Sequence, residues 1–213
     1  MPNENNEINE HNDINQIIMK TSPLRRAKEV LDIEAQAILA LKPRIADSFM
    51  RALDLLMKTK GRVVVCGMGK TGIIARKFSA TLASTGTPSL FLHSAEAVHG
   101  DLGRVVADDA VVIISNSGNS EELRQLLPLV KKIGSQIIGM TANKDSMLAR
   151  HSDIILDVSV KKEACPLGLA PTASTTATLA MTDALAVCLL EMKGFDKKDF
   201  AFFHPGGALG KRL

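Results

Sequence analysis

The stretch VVIISNSGNSEE, residues 111–122, sets the fold of this 213-residue chain. Its first four residues are aliphatic, which is typical of a parallel strand buried on both faces. A turn rich in hydroxyl groups follows, and the next apolar residues recur on one face of a helix: Leu123, Leu126, Leu127, Val130 and Ile133. Strand, polar turn and helix in this order predict one βα unit of an α/β fold.

The polar turn is also a predicted phosphate site, because backbone N–H groups without partners and the positive end of the helix dipole meet there. Serine before a helix usually acts as a cap, and Ser120 alone satisfies that role. Ser115 and Ser117 exceed what capping needs, so we favour phosphate binding over plain capping. The segment expected to contact the phosphate comprises Ser115, Asn116, Ser117, Gly118 and Ser120.

Composition limits the classes of protein and compartment. The chain is 46% hydrophobic, which allows a substantial core, and no run of eighteen apolar residues suggests a membrane span. Its formal charge is only +3, with no basic block, no Trp and no Tyr, so we rank nucleic acid well behind a small molecule as the partner. The cysteines form no CxxC pair, and the N-terminus does not resemble a signal peptide. We therefore expect a cytoplasmic protein without a disulfide framework or structural zinc site.

The chain divides into a tail and one domain. Residues 1–21 are rich in Asn and Glu and are expected to be disordered, and residues 22–213 are expected to form a single domain. Two helices open this domain, the first from near Ser22-Pro23 to before Pro43 and the second closing at Gly61. A long helix from Thr172 to about Met192 and a short segment, 196–203, end it.

Five apolar strand candidates lie between these helices: 63–66, 89–92, 111–114, 136–140 and 153–158. Helical segments separate most of them, at a spacing of about twenty residues, which is typical of βαβ crossovers. The pattern predicts a doubly wound parallel sheet.

The loop after the first strand, GMGKTG (67–72), formally matches the dinucleotide-binding pattern GxGxxG. That pattern calls for an acidic residue at the end of the second strand, but Leu92-His93 stands there. The P-loop pattern also fails, because Val64 replaces its leading glycine. Lys70 still favours a ligand loop over a plain turn, since the carboxyl end of such a strand faces the ligand crevice.

Two further segments carry titratable groups. Glu96 lies three residues from both His93 and His99, so the segment allows a metal site, acid–base chemistry by a histidine or plain surface decoration. Glu163 lies in a loop among apolar residues, where partial burial is expected to raise its pKa and make it a proton shuttle. An ordinary surface loop fits that segment equally well, and His204 before Pro205 is similarly ambiguous.

Five motifs together resemble one family: GMGKTG, SNSGNSEE, HGDLG, KEACPLGLAPTASTTATLAMTDALAV and FFHPGGALGKRL. From about Leu24 onward, the chain resembles the sugar-isomerase (SIS) domain of D-arabinose 5-phosphate isomerases. The resemblance implies a three-layer α/β/α fold with a five-stranded parallel sheet. It also implies interconversion of D-ribulose 5-phosphate and D-arabinose 5-phosphate through an enediolate, without a required cofactor, in the supply of Kdo for lipopolysaccharide or capsule.

The resemblance also implies roles for single residues. The family's functional residues fall on Lys70, His99, Glu122, Glu163 and His204. Gly86 and Thr87 match a substrate-contacting pair, and Thr172 is a further candidate substrate contact. His93 matches a position associated with inhibitory zinc. We expect the serines to bind phosphate, Glu163 or Glu122 to act as the base, Lys70 to stabilise the enediolate and the two histidines, His99 and His204, to open the sugar ring.

Two departures from the family pattern stand out. Asn119 replaces a common Glu, which leaves Glu122 as the main carboxylate of that turn. Longer members continue into paired CBS domains, whereas this sequence stops at Leu213, as expected of a short member or a cut chain. We expect a homotetramer whose active sites lie at subunit contacts, and no nucleic-acid or membrane partner. The alternatives are a phosphosugar sensor without catalysis and an isomerase of another sugar phosphate.

Overall fold

The computed structural model describes residues 22–206. The predicted tail, 1–21, and residues 207–213 lie outside this range, so the division into tail and single domain stays a prediction. All five predicted strands are present: β1 Val63–Gly67, β2 Ser89–His93, β3 Ala110–Ile114, β4 Gln136–Thr141 and β5 Ile154–Asp157. They form one parallel sheet in the order β2-β1-β3-β4-β5, which confirms the fold class.

Helices connect the strands and cover both faces of the sheet. In chain order they are α1 Pro23–Leu39, α2 Asp47–Lys58, α3 Gly69–Ser84, α4 Ser94–Ala97, α5 Glu121–Ile133, α6 Met147–His151, α7 Ala173–Met192 and α8 Lys197–Phe203. Two short 3₁₀ turns, Lys42–Arg44 and Asp101–Arg104, lie between them. The two predicted opening helices, the long helix and the final short segment all appear close to their expected bounds.

The sheet has a separate hydrophobic core on each face, because successive strand side chains point in opposite directions. Val63 and Val65 of β1 pack with α1, α2, α3 and α7, whereas Val64 and Cys66 pack with α4, α5 and α6. The predicted apolar face of α5 lies in the second core, with Leu123, Leu126, Leu127 and Val130 buried and Ile133 packed against them. Burial on both faces explains the aliphatic runs that predicted the strands.

Helix α7 lies in the first core and contacts α1, α2 and α3. In the described part of the chain it is the one helix long and apolar enough to cross a membrane, but half of its apolar window is buried inside the protein. Its side chains contact the sheet core through residues such as Ala177, Met181 and Leu185. These contacts are those of a core helix, which is apolar for the same reason as a membrane span.

The strand order reverses direction between β1 and β3. From β1 the chain passes to β2 on one side, and it then returns to β3 on the other side of β1. Gly67 and Ile114, the last residues of these two strands, are neighbours in register. In open α/β sheets, ligands bind at the carboxyl ends of the strands beside such a switch point.

Candidate active site

A cavity of about 250 Å³ lies at this switch point. Three segments form its walls: the start of α3, the turn after β3 and the start of α7. The lining residues are Met68, Lys70, Thr71, Asn116, Pro171, Ser174, Thr175 and Thr178. Lys70 therefore occupies the position predicted for it, in the crevice at the end of β1.

A larger cavity, of about 460 Å³, lies beside the edge strand β5 and carries Arg44, Lys144 and Asp157. The three charges are paired with one another, since Asp157 accepts from Arg44 at 3.3 Å and from Lys144 at 3.1 Å. The smaller cavity combines the switch point with a lysine whose charge has no such partner in residues 22–206. We therefore place the candidate site there.

The predicted phosphate turn is held in a fixed shape. The hydroxyl of Ser115 accepts the N–H of Gly118 at 3.1 Å, and the carbonyl of Asn116 accepts the hydroxyl of Thr141 at 3.1 Å. Gly118 has φ +64°, and an added Cβ would lie 2.3 Å from the Ser146 hydroxyl oxygen. Glycine is therefore required here by both conformation and space.

The helix that follows this turn begins without a side-chain cap. Ser120 occupies the N-cap position of α5, but among the described residues its side chain accepts no hydrogen bond from the helix. The capping role assigned to Ser120 is therefore not what the structure shows. Helix α3, next to the same cavity, likewise begins at Met68 without a side-chain cap. Two helix N-termini that no side chain of residues 22–206 caps thus follow β1 and β3, the strands at the switch point, which favours an anion there.

The third helix at the cavity, α7, is capped by Glu163. One carboxylate oxygen, Oε2, accepts the N–H of Thr172 at 2.8 Å, the Thr172 hydroxyl at 3.0 Å and the N–H of Ser174 at 3.2 Å. Partial burial acts to raise the pKa of Glu163, but the hydrogen bonds from Ser174 and Thr172 outweigh burial and lower it. The expected rise in this pKa is therefore wrong, and Glu163 is an ionised carboxylate at neutral pH.

Glu122, the other predicted carboxylate, lies in the first turn of α5 and is half-buried. Its neighbour Glu121 is exposed and forms an ion pair with Arg124 at 3.1 Å. Asn119 accepts the N–H of Met147 at 2.8 Å through its side-chain oxygen. Asn119 thus connects the phosphate turn to α6. Within residues 22–206, the side chain of Glu122 forms no ion pair, in contrast to that of Glu121.

The histidine cluster predicted from spacing is not assembled as a metal site. His93 ends β2 beside Gly67, and His99 is exposed in the turn after α4. Within residues 22–206, no three side chains of His, Cys, Asp or Glu come together as a metal-binding group. The Nδ1 atom of His93 is buried and has no partner among those residues. The assignment of inhibitory zinc to His93 stays a prediction.

Gly86, Thr87 and His204 lie away from the Lys70 cavity. Gly86 and Thr87 precede β2 and so lie at the opposite end of the sheet. Phe195 packs over Gly86, where an added Cβ would come within 2.5 Å of its ring. His204 follows α8, and its ring stacks on Phe200 with centroids 3.9 Å apart. One chain therefore brings together Lys70, the phosphate turn and the Glu163 loop, but not the two predicted histidines.

Ser174, Thr175 and Thr178 add a hydroxyl-bearing wall to the cavity. Of the hydroxyl-bearing residues near the start of α7, the sequence pattern predicted a substrate contact for Thr172 alone, and Thr178 was missed. The available signal was spacing, because residues 174 and 178 are one helical turn apart and share a face. The Thr178 hydroxyl donates to the Ser174 carbonyl at 2.7 Å, which leaves its acceptor lone pairs for the cavity.

Residues 55–188 match the SIS domain family. The chain is 54% identical over 190 residues to the arabinose 5-phosphate isomerase KdsD of Pseudomonas aeruginosa, covering 89% of this chain and 58% of that protein. It is 54% identical over 186 residues to the protein of the same name from Escherichia coli K12, covering 87% of this chain and 57% of that one. The chain thus spans less than three fifths of these relatives' length. The structure of E. coli CFT073 c3406 in complex with arabinose 5-phosphate superposes with a TM-score of 0.79 and 44% identity, covering 84% of this chain and 95% of that one.

Proposed function

The chain belongs to the SIS domain family, and on that basis we propose that it interconverts D-ribulose 5-phosphate and D-arabinose 5-phosphate. The observation that carries the proposal is the switch-point cavity. It is lined by Lys70, at the uncapped N-terminus of α3, and by Asn116, in the turn that leads to the uncapped N-terminus of α5. Relatives named arabinose 5-phosphate isomerase, at 54% identity, support the choice of substrate. We propose a cytoplasmic reaction that supplies the precursor of Kdo for lipopolysaccharide or capsule.

The phosphate binds at the turn after β3. Ser115, Ser117 and Ser120 surround the uncapped start of α5, and unpaired N–H groups there supply donors for phosphate oxygens. Asn116 and Gly118 hold the turn in its shape through their backbone contacts. The α7 N-terminus does not serve this purpose, because the carboxylate of Glu163 already occupies it.

The isomerisation is an internal redistribution of electrons. A base removes a proton from C1 of the ketose, and the enediolate forms across C1 and C2. A proton is then delivered to C2, while O2 gains a proton and the O1 hydroxyl loses one, which gives the aldose. The substrate is neither oxidised nor reduced overall, so the reaction requires no redox cofactor. Glu122 serves as the base, since Glu163 is held by three donors, and the ammonium group of Lys70 stabilises the enediolate oxygen.

The histidines that open the arabinose ring come from neighbouring subunits. His99 is exposed on a turn and His204 lies beyond α8, and neither lines the Lys70 cavity of its own chain. Gly86 lies on the same side of the molecule as Phe203 of α8, and the adjacent Thr87 is buried within its own chain. A homotetramer with its active sites at subunit contacts accounts for this separation. The proposed reaction involves neither nucleic acid nor a membrane.

NMR of D-ribulose 5-phosphate with the protein in D₂O tests the reaction. The expected product is D-arabinose 5-phosphate carrying deuterium at C2, because the enediolate is reprotonated from a base that exchanges with solvent. Turnover without label at C2 would show that hydrogen moves from C1 to C2 without exchange with solvent. Binding without turnover would favour the phosphosugar sensor, and turnover confined to another sugar phosphate would favour a different isomerase.

A further inference from the structure

We infer that Thr172 is a positioning residue: it clamps Glu163 at the base of the loop 163–172 and thereby fixes the cavity wall formed by Pro171 and Ser174. This inference rests on the proposed isomerase function. Its physical basis is a set of four hydrogen bonds that join the two ends of the loop.

The Thr172 hydroxyl both donates and accepts a hydrogen bond. It donates to Glu163 Oε2 at 3.0 Å and accepts the N–H of Ala164 at 2.8 Å. Its own backbone N–H reaches the same Oε2 atom at 2.8 Å. A hydroxyl that already donates its one hydrogen and accepts one hydrogen bond keeps a single lone pair and no donor for a ligand. The expectation that Thr172 contacts the substrate therefore gives way to a role in holding Glu163.

The clamp differs from ordinary capping of α7. A threonine at an N-cap usually accepts an N–H from the first turn of its own helix, but the Thr172 side chain makes no such bond in the described structure. The first-turn N–H of Ser174 instead goes to Glu163, eleven residues earlier in the chain. Glu163 is the capping group, and Thr172 holds that group in place.

The rest of the loop has few other anchors. In residues 163–172 the one buried side chain is that of Ala164, whereas Leu167 and Leu169 are 51% and 79% exposed. A loop of this length with its ends joined is a compact Ω-loop, and its shape depends on contacts at its base. The clamp is therefore the main connection between the loop and the cavity.

The clamp bears directly on the cavity wall. Pro171 and Ser174 flank Thr172, and both line the cavity together with Lys70. Loss of the Thr172 hydroxyl would leave the N–H of Ala164 without its acceptor and remove one of three donors to Glu163. Because catalysis depends on the geometry of the bound substrate, a small shift of this wall should slow turnover more than it weakens binding.

Thr172→Val and Thr172→Ser form the matched test, since valine keeps the shape and serine keeps the hydroxyl. We expect Thr172→Val to lower kcat by about tenfold to a hundredfold, to change KM less than about twofold and to speed chymotrypsin cleavage at Leu167 or Leu169. Thr172→Ser should restore both kcat and protease resistance. Thr172→Ala, with circular dichroism of all variants, replaces the valine variant if that one does not fold.

Several outcomes would overturn the inference. Unchanged kcat and unchanged cleavage in Thr172→Val would make the clamp dispensable. A raised KM with unchanged cleavage would make Thr172 a direct substrate contact. A lower melting temperature with normal kcat would leave Thr172 a purely structural cap. If the wild-type protein does not turn over ribulose 5-phosphate, the proposed function fails, but the cleavage rates still test the clamp.

Discussion

The three cysteines show how differently one type of residue behaves in different surroundings. Burial raises the pKa of the Cys66 thiol, inside β1, to about 12. The backbone N–H groups of Ala170 and Leu167 lower the pKa of the Cys165 thiol, in the loop beside the cavity. Because the thiolate is the reactive form, Cys165 should react with DTNB first at pH 7.5, and Cys66 only after unfolding. Mass spectrometry of partly labelled protein checks this order, with Cys165→Ser as control; first labelling at Cys188 would contradict it.

Ser117 is the residue that best separates phosphate binding from turn structure. It is exposed and accepts just a long contact, 3.4 Å, from the N–H of Asn119. Ser117→Ala should raise KM by about tenfold, the usual loss for a hydrogen bond to a charged group, with kcat and melting temperature unchanged. Ser115→Ala is the control, because the Ser115 hydroxyl also holds Gly118 and its loss should lower the melting temperature. An unchanged KM in Ser117→Ala would make the turn purely structural.

Among structural elements, the turn between β3 and α5 carries the tightest backbone constraint. Gly118 and Gly168 share a left-handed φ, +64° and +66°, but an added Cβ clashes with Ser146 at position 118 and meets open space at position 168. Gly118→Ala should therefore lower the free energy of unfolding by about 2–4 kcal/mol, from strain plus overpacking. Gly168→Ala should lose about 1–2 kcal/mol, from strain alone. Urea unfolding measures both losses. Equal losses would show that the close approach to Ser146 adds nothing to the destabilisation.

Three carboxylates connect the stability of the folded protein to pH. Burial opposes ionisation of Asp153, Asp157 and Glu163, but other contacts lower the pKa of each carboxyl. Lys131 does so at Asp153, and at Asp157 the largest effect comes from Ser159, followed by Lys144 and Arg44. A carboxyl group whose pKa is lowered by folding stabilises the folded protein when the pH is above the pKa of that group in the unfolded chain, about 4. This stabilisation is lost as the pH falls through the pKa of the group in the folded protein. The urea midpoint should be flat from about pH 6 to 8 and fall below about pH 4. Asp153→Asn should reduce the fall of the urea midpoint at acidic pH. A urea midpoint that rises on acidification would contradict the stabilising role of these ionised carboxylates.

The proposed assembly predicts complementation between inactive chains. Lys70 lines the cavity of its own chain, and in the proposed tetramer His204 reaches a neighbour's cavity. Lys70→Ala and His204→Ala should each be inactive, but tetramers refolded from a mixture should regain activity at sites that combine an intact lysine with an intact histidine. Lys70→Ala mixed with Glu122→Gln is the control, since both changes affect the same chain's site. Full activity of a monomer in analytical ultracentrifugation would overturn the assembly.

Local sequence patterns were enough to find the elements. Aliphatic runs marked all five strands to within two residues at each end, and the periodicity of Leu123, Leu126 and Leu127 marked the buried face of α5. Lys70 and Asn116 of the turn after β3 line the same cavity, because in a parallel sheet both follow strands that end at the same edge. These features depend on residues that are close together in the chain, so the hydrophobic pattern of the sequence predicts them.

The tertiary structure alone decided the electrostatics and the composition of the site. Burial predicted a raised pKa for Glu163, but its donors come from residues nine and eleven positions later, which loop closure brings together. Spacing placed His93, Glu96 and His99 side by side, yet a turn after α4 leaves His99 exposed. The strand order that creates the switch point likewise follows from packing. A pKa or a cavity depends on neighbours in space, and only the folded chain determines which residues those are.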